Sequence, residues 1–146
     1  MPKENIFYED EFFYAIYNIK PAVYGHSLII TKRHVELLKD MNKDESKDFI
    51  KFTNKVLFIV DKFTGTDQYD LILQRGEYAG QSINHIHFHI IPRKKDDGME
   101  TSKKEWVDTF KEREKTVNEL NKKELLNITN QLRKIAETYS EEINKI

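Results

Sequence analysis

The chain contains the stretch Ile83-Asn84-His85-Ile86-His87-Phe88-His89-Ile90-Ile91-Pro92, in which three of its five histidines alternate with apolar residues. Alternation is the period of a β-strand, so the stretch predicts a strand over residues 82–91, with the histidines on one face and the apolar side chains in the core. Histidines two positions apart on a strand lie about 6.5–7 Å from each other. Because three charged rings at that spacing would repel, we expect most of them to be neutral at pH 7. A neutral imidazole can attack an electrophile or bind a metal ion.

Composition limits the classes of protein to which this chain can belong. Its 146 residues, 38% of them hydrophobic, are enough for one domain with a core. The 24 Lys and Arg nearly balance the 25 Asp and Glu, which argues against a broad surface for nucleic acid. The chain has no cysteine, which excludes disulfides, thiolate zinc sites and cysteine nucleophiles.

Apolar runs are short throughout the chain. The amino terminus lacks the apolar core of a signal peptide, and no run approaches the ~20 residues that a membrane helix needs. We therefore expect a soluble, cytoplasmic protein without a membrane partner.

The residues upstream of the histidines predict a small antiparallel sheet and one main helix. Residues 6–8 and 12–18 are rich in aromatic and β-branched side chains and read as a hairpin, and Ser27–Thr31 reads as a third strand entered through Gly25. Asn42 and Glu45 form a capping-box pattern before a helical apolar stripe that ends near Gly65. A strand over Tyr69–Leu73 and a glycine-bearing loop over 75–81 follow.

Beyond Pro92 the composition shifts to charged residues, and helical patterns return. Ser102-x-x-Glu105 and Asn121-x-x-Glu124 both match a capping box ahead of an apolar stripe. We predict an α+β domain over residues 1–100. Residues 101–146 should form a helical extension that packs on the same domain or on a dimer partner.

The histidine stretch, taken with its context, resembles a known signature. Gly80-Gln81-Ser82 precedes it, Pro92-Arg93 follows it, and Asn18-x-x-Pro21-x-x-x-Gly25-His26 lies far upstream. Together these motifs resemble the histidine triad (HIT) superfamily, in particular the branch of the fragile-histidine-triad proteins and other dinucleoside polyphosphate hydrolases. The resemblance covers roughly residues 6–93. It implies a HIT-like fold and a homodimer.

The resemblance also implies a role for four histidines. His87 would be the nucleophile that attacks an α-phosphate and forms a nucleotidyl-histidine intermediate, which water then hydrolyses. His85 would orient His87 through its backbone carbonyl or its ring. His89 would donate to a phosphate oxygen, and His26 would support the array from an adjacent strand.

Substrate-binding residues follow from the same resemblance. Gly80, Gln81 and Ser82 would bind the α-phosphate, while Gln74 would contact phosphate or leaving group and Asn18 the ribose. Physical chemistry supports the loop independently, because backbone N–H groups beside a glycine can form an anion nest and a serine hydroxyl can donate to phosphoryl oxygens.

The resemblance thus implies a hydrolase or nucleotidyl transferase acting on dinucleoside polyphosphates, with adenylyl phosphoramidates or aminoacyl adenylates as the next candidates. We expect no cofactor to be required, no structural metal site, and Mg²⁺ at most as a companion of a polyphosphate substrate.

Two rival hypotheses stay open. In one, the histidines bind zinc, although no Asp or Glu lies between residues 78 and 95. In the other, the domain binds nucleotides without turning them over and acts as an interaction module.

Overall fold

The computed structural model of the chain describes residues 1–99 and 106–146. Its centre is one antiparallel sheet, and its helices lie on both faces of that sheet. The strands are β1 (Ile6–Glu9), β2 (Phe13–Tyr17), β3 (Ser27–Thr31), β4 (Tyr69–Leu73) and β5 (His87–Pro92), and the helices are α1 (Lys43–Thr64), α2 (Trp106–Thr116), α3 (Lys122–Thr138) and α4 (Ser140–Asn144). The strand order is β1-β2-β3-β5-β4, so β5 lies inside the sheet and β4 at one edge. The predicted α+β class with an antiparallel sheet and one main helix is confirmed.

The first two strands form the expected hairpin, and an aspartate closes its turn. The Asp10 carboxylate accepts hydrogen bonds from the backbone N–H groups of Phe12 and Phe13, at 2.8 and 2.9 Å. Such side-chain bonds satisfy turn amides that have no ladder partner. The hairpin therefore begins β2 in the register that sends Phe13, Ala15 and Tyr17 into the core.

Helix α1 begins and ends at the residues that the sequence indicated. Asn42 accepts from the Glu45 backbone N–H, Glu45 accepts in return from the Asn42 N–H, and Gly65 ends the helix in a left-handed conformation. Glu45 is buried, but Arg33 pairs with it at 2.7 Å, and this hydrogen bond keeps the pKa of Glu45 below its usual value. A buried carboxylate is stable here because it is both paired and hydrogen-bonded.

Helix α1 covers one face of the sheet and forms the main core. Phe52, Val56 and Ile59 of α1 pack against Phe13 and Ile29 of the sheet, all of them fully buried. Fully burying a side chain of this size contributes roughly 1.5–3 kcal/mol. This layer therefore fixes the position of β3 and β5, which carry the histidines.

The carboxy-terminal helices lie on the same chain's sheet and helix α1. Helix α3 has the predicted Asn121–Glu124 capping box, packs against β1 and α1, and ties the amino terminus through Arg133, which donates to the Ile6 carbonyl at 2.8 Å. The Ser102–Glu105 pattern lies outside the described residues. The short helix α4 was not predicted.

The predicted strand over residues 82–91 is wrong at its start. Strand β5 begins only at His87 and pairs with β3 from Ile30 to Ser27. The residues before it turn away, and the Ile86 N–H donates to the Val35 carbonyl at 2.7 Å instead of to a neighbouring strand. His85 is consequently not part of the strand, although Ile86, Phe88 and Ile90 are buried as expected.

Helix length and polarity bear on the expected absence of a membrane partner. Across residues 1–99 and 106–146, no helix is long and apolar enough to cross a lipid bilayer.

Candidate active site

A cavity of about 710 Å³ opens on the sheet face opposite α1. His87 and His89 line it, together with Asn18 and the loop residues Gly80, Gln81 and Ser82. Antiparallel pairing explains the meeting, because β5 lies between β3 and β4 and the loop that precedes β5 starts at the end of β4. The structure thus brings six of the nine predicted site residues to one cavity.

A second, more apolar cavity of about 500 Å³ adjoins the first. The two share His87, Asn18 and Leu28. Tyr14, Ile16 and Ile30 of the sheet contribute much of the second lining, and Leu125 of α3 contributes to it as well. His87 therefore stands between a polar and an apolar compartment.

The proton of a neutral His87 ring is fixed by a backbone carbonyl. Its Nδ1 lies 2.8 Å from the carbonyl oxygen of His85, and because a carbonyl can only accept, Nδ1 carries the hydrogen. The other nitrogen, Nε2, then keeps its lone pair. His85 is itself held by its ring, whose Nε2 lies 2.8 Å from the Thr31 carbonyl. We expected His85 to contact His87 through its backbone carbonyl or its ring, and the structure shows the contact through the carbonyl.

The proton of His89 is fixed by a chain of hydrogen bonds that starts at Ala22. The Ala22 N–H donates to His26 Nδ1 at 3.0 Å, so the hydrogen of a neutral His26 sits on Nε2, which donates to His89 Nδ1 at 2.9 Å. His89 must then carry its own hydrogen on Nε2. Asn18 Nδ2 lies 3.2 Å from His26 Nε2, but as a donor group it contacts that nitrogen without bonding to it.

Burial keeps these two histidines neutral. Desolvation, followed by the proximity of His87, lowers the pKa of His89 to about 3. Desolvation and the two neighbouring histidines also lower the pKa of His26 well below its usual value. Both rings are therefore uncharged near pH 7. Of the alternating histidines this bears on His89, whose neutrality was expected from repulsion between rings but arises first from burial. The His89 Nε2 is buried and has no hydrogen-bond partner within the described part of the chain, so no protein group takes up its proton.

A phenyl ring from α2 seals this pair from solvent. Phe110 is fully buried, and its ring centroid lies 5.4 Å from that of His89 and 5.9 Å from that of His26. It packs in a second core cluster with Ala22, Val23, Ile91 and Met99. In the sequence, the helical spacing of Phe110 within its apolar stripe predicts a core or interface anchor, and it gives no sign that the ring covers the histidines.

The loop before the triad differs in one respect from the expected anion nest. The N–H groups of Gly80 and Gln81 donate to the carbonyls of Glu77 and Gly76, both at 3.0 Å, so they are not free to bind an anion. The Gln81 side chain also closes the loop, because its Oε1 accepts from the Gly76 N–H at 2.8 Å. The exposed Ser82 hydroxyl has no partner among the residues that the structure describes, so it is free to donate to a ligand.

Gly80 is required by its surroundings. Its φ is +95°, and a Cβ there would lie 3.1 Å from Gln74 Nε2 and 3.2 Å from Lys111 Cε. Gln74 is buried behind the loop and does not line the cavity. It is therefore placed to support Gly80 rather than to touch a ligand directly.

Metal binding needs several convergent ligands. Among the side chains that the structure describes, no three His, Asp or Glu residues are arranged to hold a metal ion. The hydrogen bonds of His87 and His89 also occupy one nitrogen of each ring. The zinc hypothesis thus lacks a third ligand in the described part of the chain.

Comparison with known proteins agrees with this geometry. The family model of the HIT domain matches residues 2–96. The chain belongs to the HIT family. It is 42% identical over 93 residues to an uncharacterised HIT-like protein of Methanocaldococcus jannaschii, covering 64% of this chain and 71% of that protein. It is 36% identical over 112 residues to a bis(5'-adenosyl)-triphosphatase of Dictyostelium discoideum, covering 77% of this chain and 74% of that protein.

A solved HIT structure has the same fold. The crystal structure of a hypothetical histidine triad nucleotide-binding protein from Sulfolobus tokodaii superposes with a TM-score of 0.71 at 27% identity, covering 92% of this chain and 85% of that one. The match extends beyond residue 96 of this chain, so at least part of the carboxy-terminal helical segment has a counterpart there.

Proposed function

We propose that this HIT protein is a hydrolase of dinucleoside polyphosphates that works through a covalent nucleotidyl-histidine intermediate. The observation that carries the proposal is that two histidines in one cavity carry their hydrogens on different ring nitrogens. His87 offers a lone pair on Nε2, and His89 offers a proton on Nε2. A nucleophile next to a donor for developing charge is what displacement at phosphorus requires. The name of the Dictyostelium relative supports this substrate class.

The first step transfers a nucleoside monophosphate to the enzyme. The His87 Nε2 lone pair forms a bond to the α-phosphorus, and the bond from that phosphorus to the bridging oxygen breaks, so its electron pair stays on the leaving phosphate. The Nε2–H of His89 donates to a non-bridging or bridging oxygen as charge builds there, and Ser82 supplies a second donor.

The second step returns the enzyme to its starting state. A water oxygen attacks the α-phosphorus, the phosphorus–nitrogen bond breaks with its electron pair returning to His87 Nε2, and the water proton leaves to solvent or to the phosphate. For a dinucleoside triphosphate the products are one nucleoside monophosphate and one nucleoside diphosphate.

The two cavities support an arrangement of the substrate. The apolar lining of Tyr14, Ile16, Leu28 and Ile30 suits a nucleoside, with Asn18 near the ribose. The polar cavity then holds the phosphates and the leaving group. We propose no required cofactor, because an imidazole rather than a metal-bound water is the nucleophile, and Mg²⁺ would enter only with a polyphosphate substrate.

We further propose that the protein is a cytoplasmic homodimer. Strand β4 is an edge of the sheet, and it exposes Tyr69 and Leu71. Exposed apolar edge strands are prone to pair with another chain, and a second copy would extend the sheet across a two-fold axis.

A panel of substrates tests the proposed function. Purified protein should convert diadenosine triphosphate to AMP and ADP, as read by chromatography, faster than it cleaves adenosine phosphoramidate or an aminoacyl adenylate. A faster reaction with the phosphoramidate or the aminoacyl adenylate would move the assignment to the second candidates. Tight nucleotide binding without turnover of any member would favour the interaction module.

The variant His87→Ala tests the nucleophile. We expect kcat to fall roughly 10⁴-fold or more, while nucleotide affinity stays within a fewfold of wild type because binding rests on other groups. His34→Ala is the matched control, since His34 is exposed and lines neither cavity. Turnover by His87→Ala at wild-type rate would refute the role of His87.

A further inference from the structure

Helix α2 forms one wall of the polar cavity, although it lies beyond the residues that match the HIT domain model. Two of its side chains, Lys111 and Lys115, line the cavity with His87 and His89. Residues four positions apart lie on the same face of a helix. A single face of α2 therefore presents two ammonium groups to the space in front of the triad.

Three independent contacts hold α2 at this position. Phe110 is fully buried in the second core cluster against the histidine pair. Arg113 donates to the Gly98 carbonyl at 3.2 Å, and Lys111 Nζ donates to the Tyr78 carbonyl at 3.2 Å. Helix α2 is thus tied to the sheet through Phe110 and to the loop that precedes the triad through Lys111, so the fold sets the position of the helix relative to His87.

The charge of the cavity is strongly one-sided. Its described lining residues include three lysines, Lys20, Lys111 and Lys115, and one carboxylate, Glu77. Within the described part of the chain, Lys115 makes no hydrogen bond or ion pair. His89, which also lines the cavity, is neutral near pH 7 and adds no charge to it. A cavity with excess positive charge and low-dielectric walls attracts polyanions.

We propose that Lys111 and Lys115 bind the phosphates of the leaving group, beyond the α-phosphate, and so select substrates whose leaving group is a polyphosphate. This inference rests on the proposed function and assigns its leaving-group side to α2. As the bond to the α-phosphorus breaks, an electron pair and its negative charge pass to the leaving phosphate. An ammonium group beside that phosphate interacts more strongly with the transition state than with the substrate.

Variants of the two lysines, assayed on two substrates of different leaving-group charge, test the inference. Diadenosine triphosphate releases a nucleoside diphosphate anion, whereas adenosine phosphoramidate releases ammonia, and both carry the same AMP moiety. We expect the double variant Lys111→Met, Lys115→Met to lower kcat/KM for diadenosine triphosphate about 30-fold or more, with a change below threefold for the phosphoramidate. Lys115→Met alone should give part of the loss, and Lys115→Arg should restore most of it.

Lys123→Met is the matched control, because Lys123 is exposed on α3 and lines neither cavity. This control should leave kcat/KM for both substrates unchanged. Raising the salt concentration should reduce the rate of wild type on diadenosine triphosphate more than that of the double variant, since only wild type keeps the ammonium groups.

Equal losses on both substrates would indicate a merely structural role for the lysines and would overturn the inference, as would no loss on either. A binding measurement separates this failure from failure of the proposed function. In a His87→Ala background, calorimetry should show that the double substitution weakens the binding of diadenosine triphosphate at least tenfold. It should weaken the binding of AMP less than threefold. If the double substitution selectively weakens diadenosine triphosphate binding but wild type shows no turnover, the lysine site stands and the proposed hydrolase function fails. If wild type turns the substrate over but binding is not selectively weakened, the hydrolase function stands and the lysine site fails.

Discussion

His87 and His89 carry their hydrogens on different ring nitrogens, and the difference originates in the backbone. The His85 carbonyl places the proton of His87 on Nδ1, and the Ala22 N–H, acting through His26, places the proton of His89 on Nε2. The alternation of the histidines correctly predicted that His87 and His89 lie on one face of a strand, but it wrongly included His85 in that strand. They could not predict the tautomers, because these depend on a carbonyl and an amide whose positions are set by the tertiary fold.

Asp48 permits a residue-scale prediction on stability. Desolvation, and then the proximity of the Asp10 carboxylate, raise the pKa of Asp48 to about 6. The folded state therefore favours the protonated carboxyl, and this stabilisation is lost as the pH rises through about 6. Asp48→Asn, which stays neutral, should raise Tm by roughly 4 °C at pH 8 if it adds about 1 kcal/mol. The gain should shrink by pH 5.

The control for this prediction is Asp44→Asn, in the exposed first turn of α1. An acidic side chain there interacts favourably with the helix dipole, so its removal should leave Tm unchanged or slightly lower at both pH values. A Tm gain of Asp48→Asn that did not depend on pH would contradict the assigned pKa.

At the scale of elements, local patterns predicted those parts of the fold that local interactions determine. Helix α1 follows from the Asn42–Glu45 capping box and from Gly65, and β3 has the predicted bounds. The strand that carries the histidines was predicted too long. The alternation of polar and apolar residues includes His85, but β3 offers pairing partners only from His87 onward. The hydrophobic period of one strand alone cannot predict where its neighbouring strand ends.

Helix α2 shows the same limit more strongly. Its apolar residues predicted a helix, and no role was predicted for its lysines. Nothing local in the sequence indicates that Phe110 would settle against His26 and His89 and so turn Lys111 and Lys115 toward the cavity. That placement results from packing between segments far apart in the chain.

Removing the phenyl ring of α2 should change the titration of His89. Phe110→Ala opens the histidine pair to water, which reduces the desolvation that lowers the pKa of His89 to about 3. We expect that pKa to rise toward 6.5, as measured by long-range ¹H–¹⁵N NMR over a pH series. The lost packing should also cost about 3 kcal/mol of unfolding free energy.

Phe58→Ala is the control for this experiment, because Phe58 packs on Tyr139 at the other face of the sheet. It should lower stability without moving the His89 titration. An unchanged His89 pKa in Phe110→Ala would show that the phenyl ring does not supply the desolvation.

At the scale of the whole molecule, the sheet has one face under α1 and the other divided between α2 and the two cavities. The HIT domain match ends at residue 96, yet the polar cavity is completed by residues beyond it. The two cavities are therefore lined by the domain and by its carboxy-terminal helices together.

The edge strand β4 carries a prediction about assembly. We expect light scattering after size exclusion to give twice the chain mass of 17.5 kDa. Leu71→Lys places a charge on the exposed edge and should shift the protein to a monomer, whereas Leu38→Lys, on an exposed turn elsewhere, should not. A monomeric wild type, or a dimer that tolerates Leu71→Lys, would exclude pairing through β4.

Rapid acid-free quenching of wild-type protein with diadenosine triphosphate, followed by peptide mass spectrometry, addresses the reaction itself. We predict a transient adduct of one adenosine monophosphate on His87, formed and lost within a single turnover and absent in His87→Ala. Hydrolysis at full rate with no adduct at any time point, or with the adduct on another residue, would contradict the mechanism.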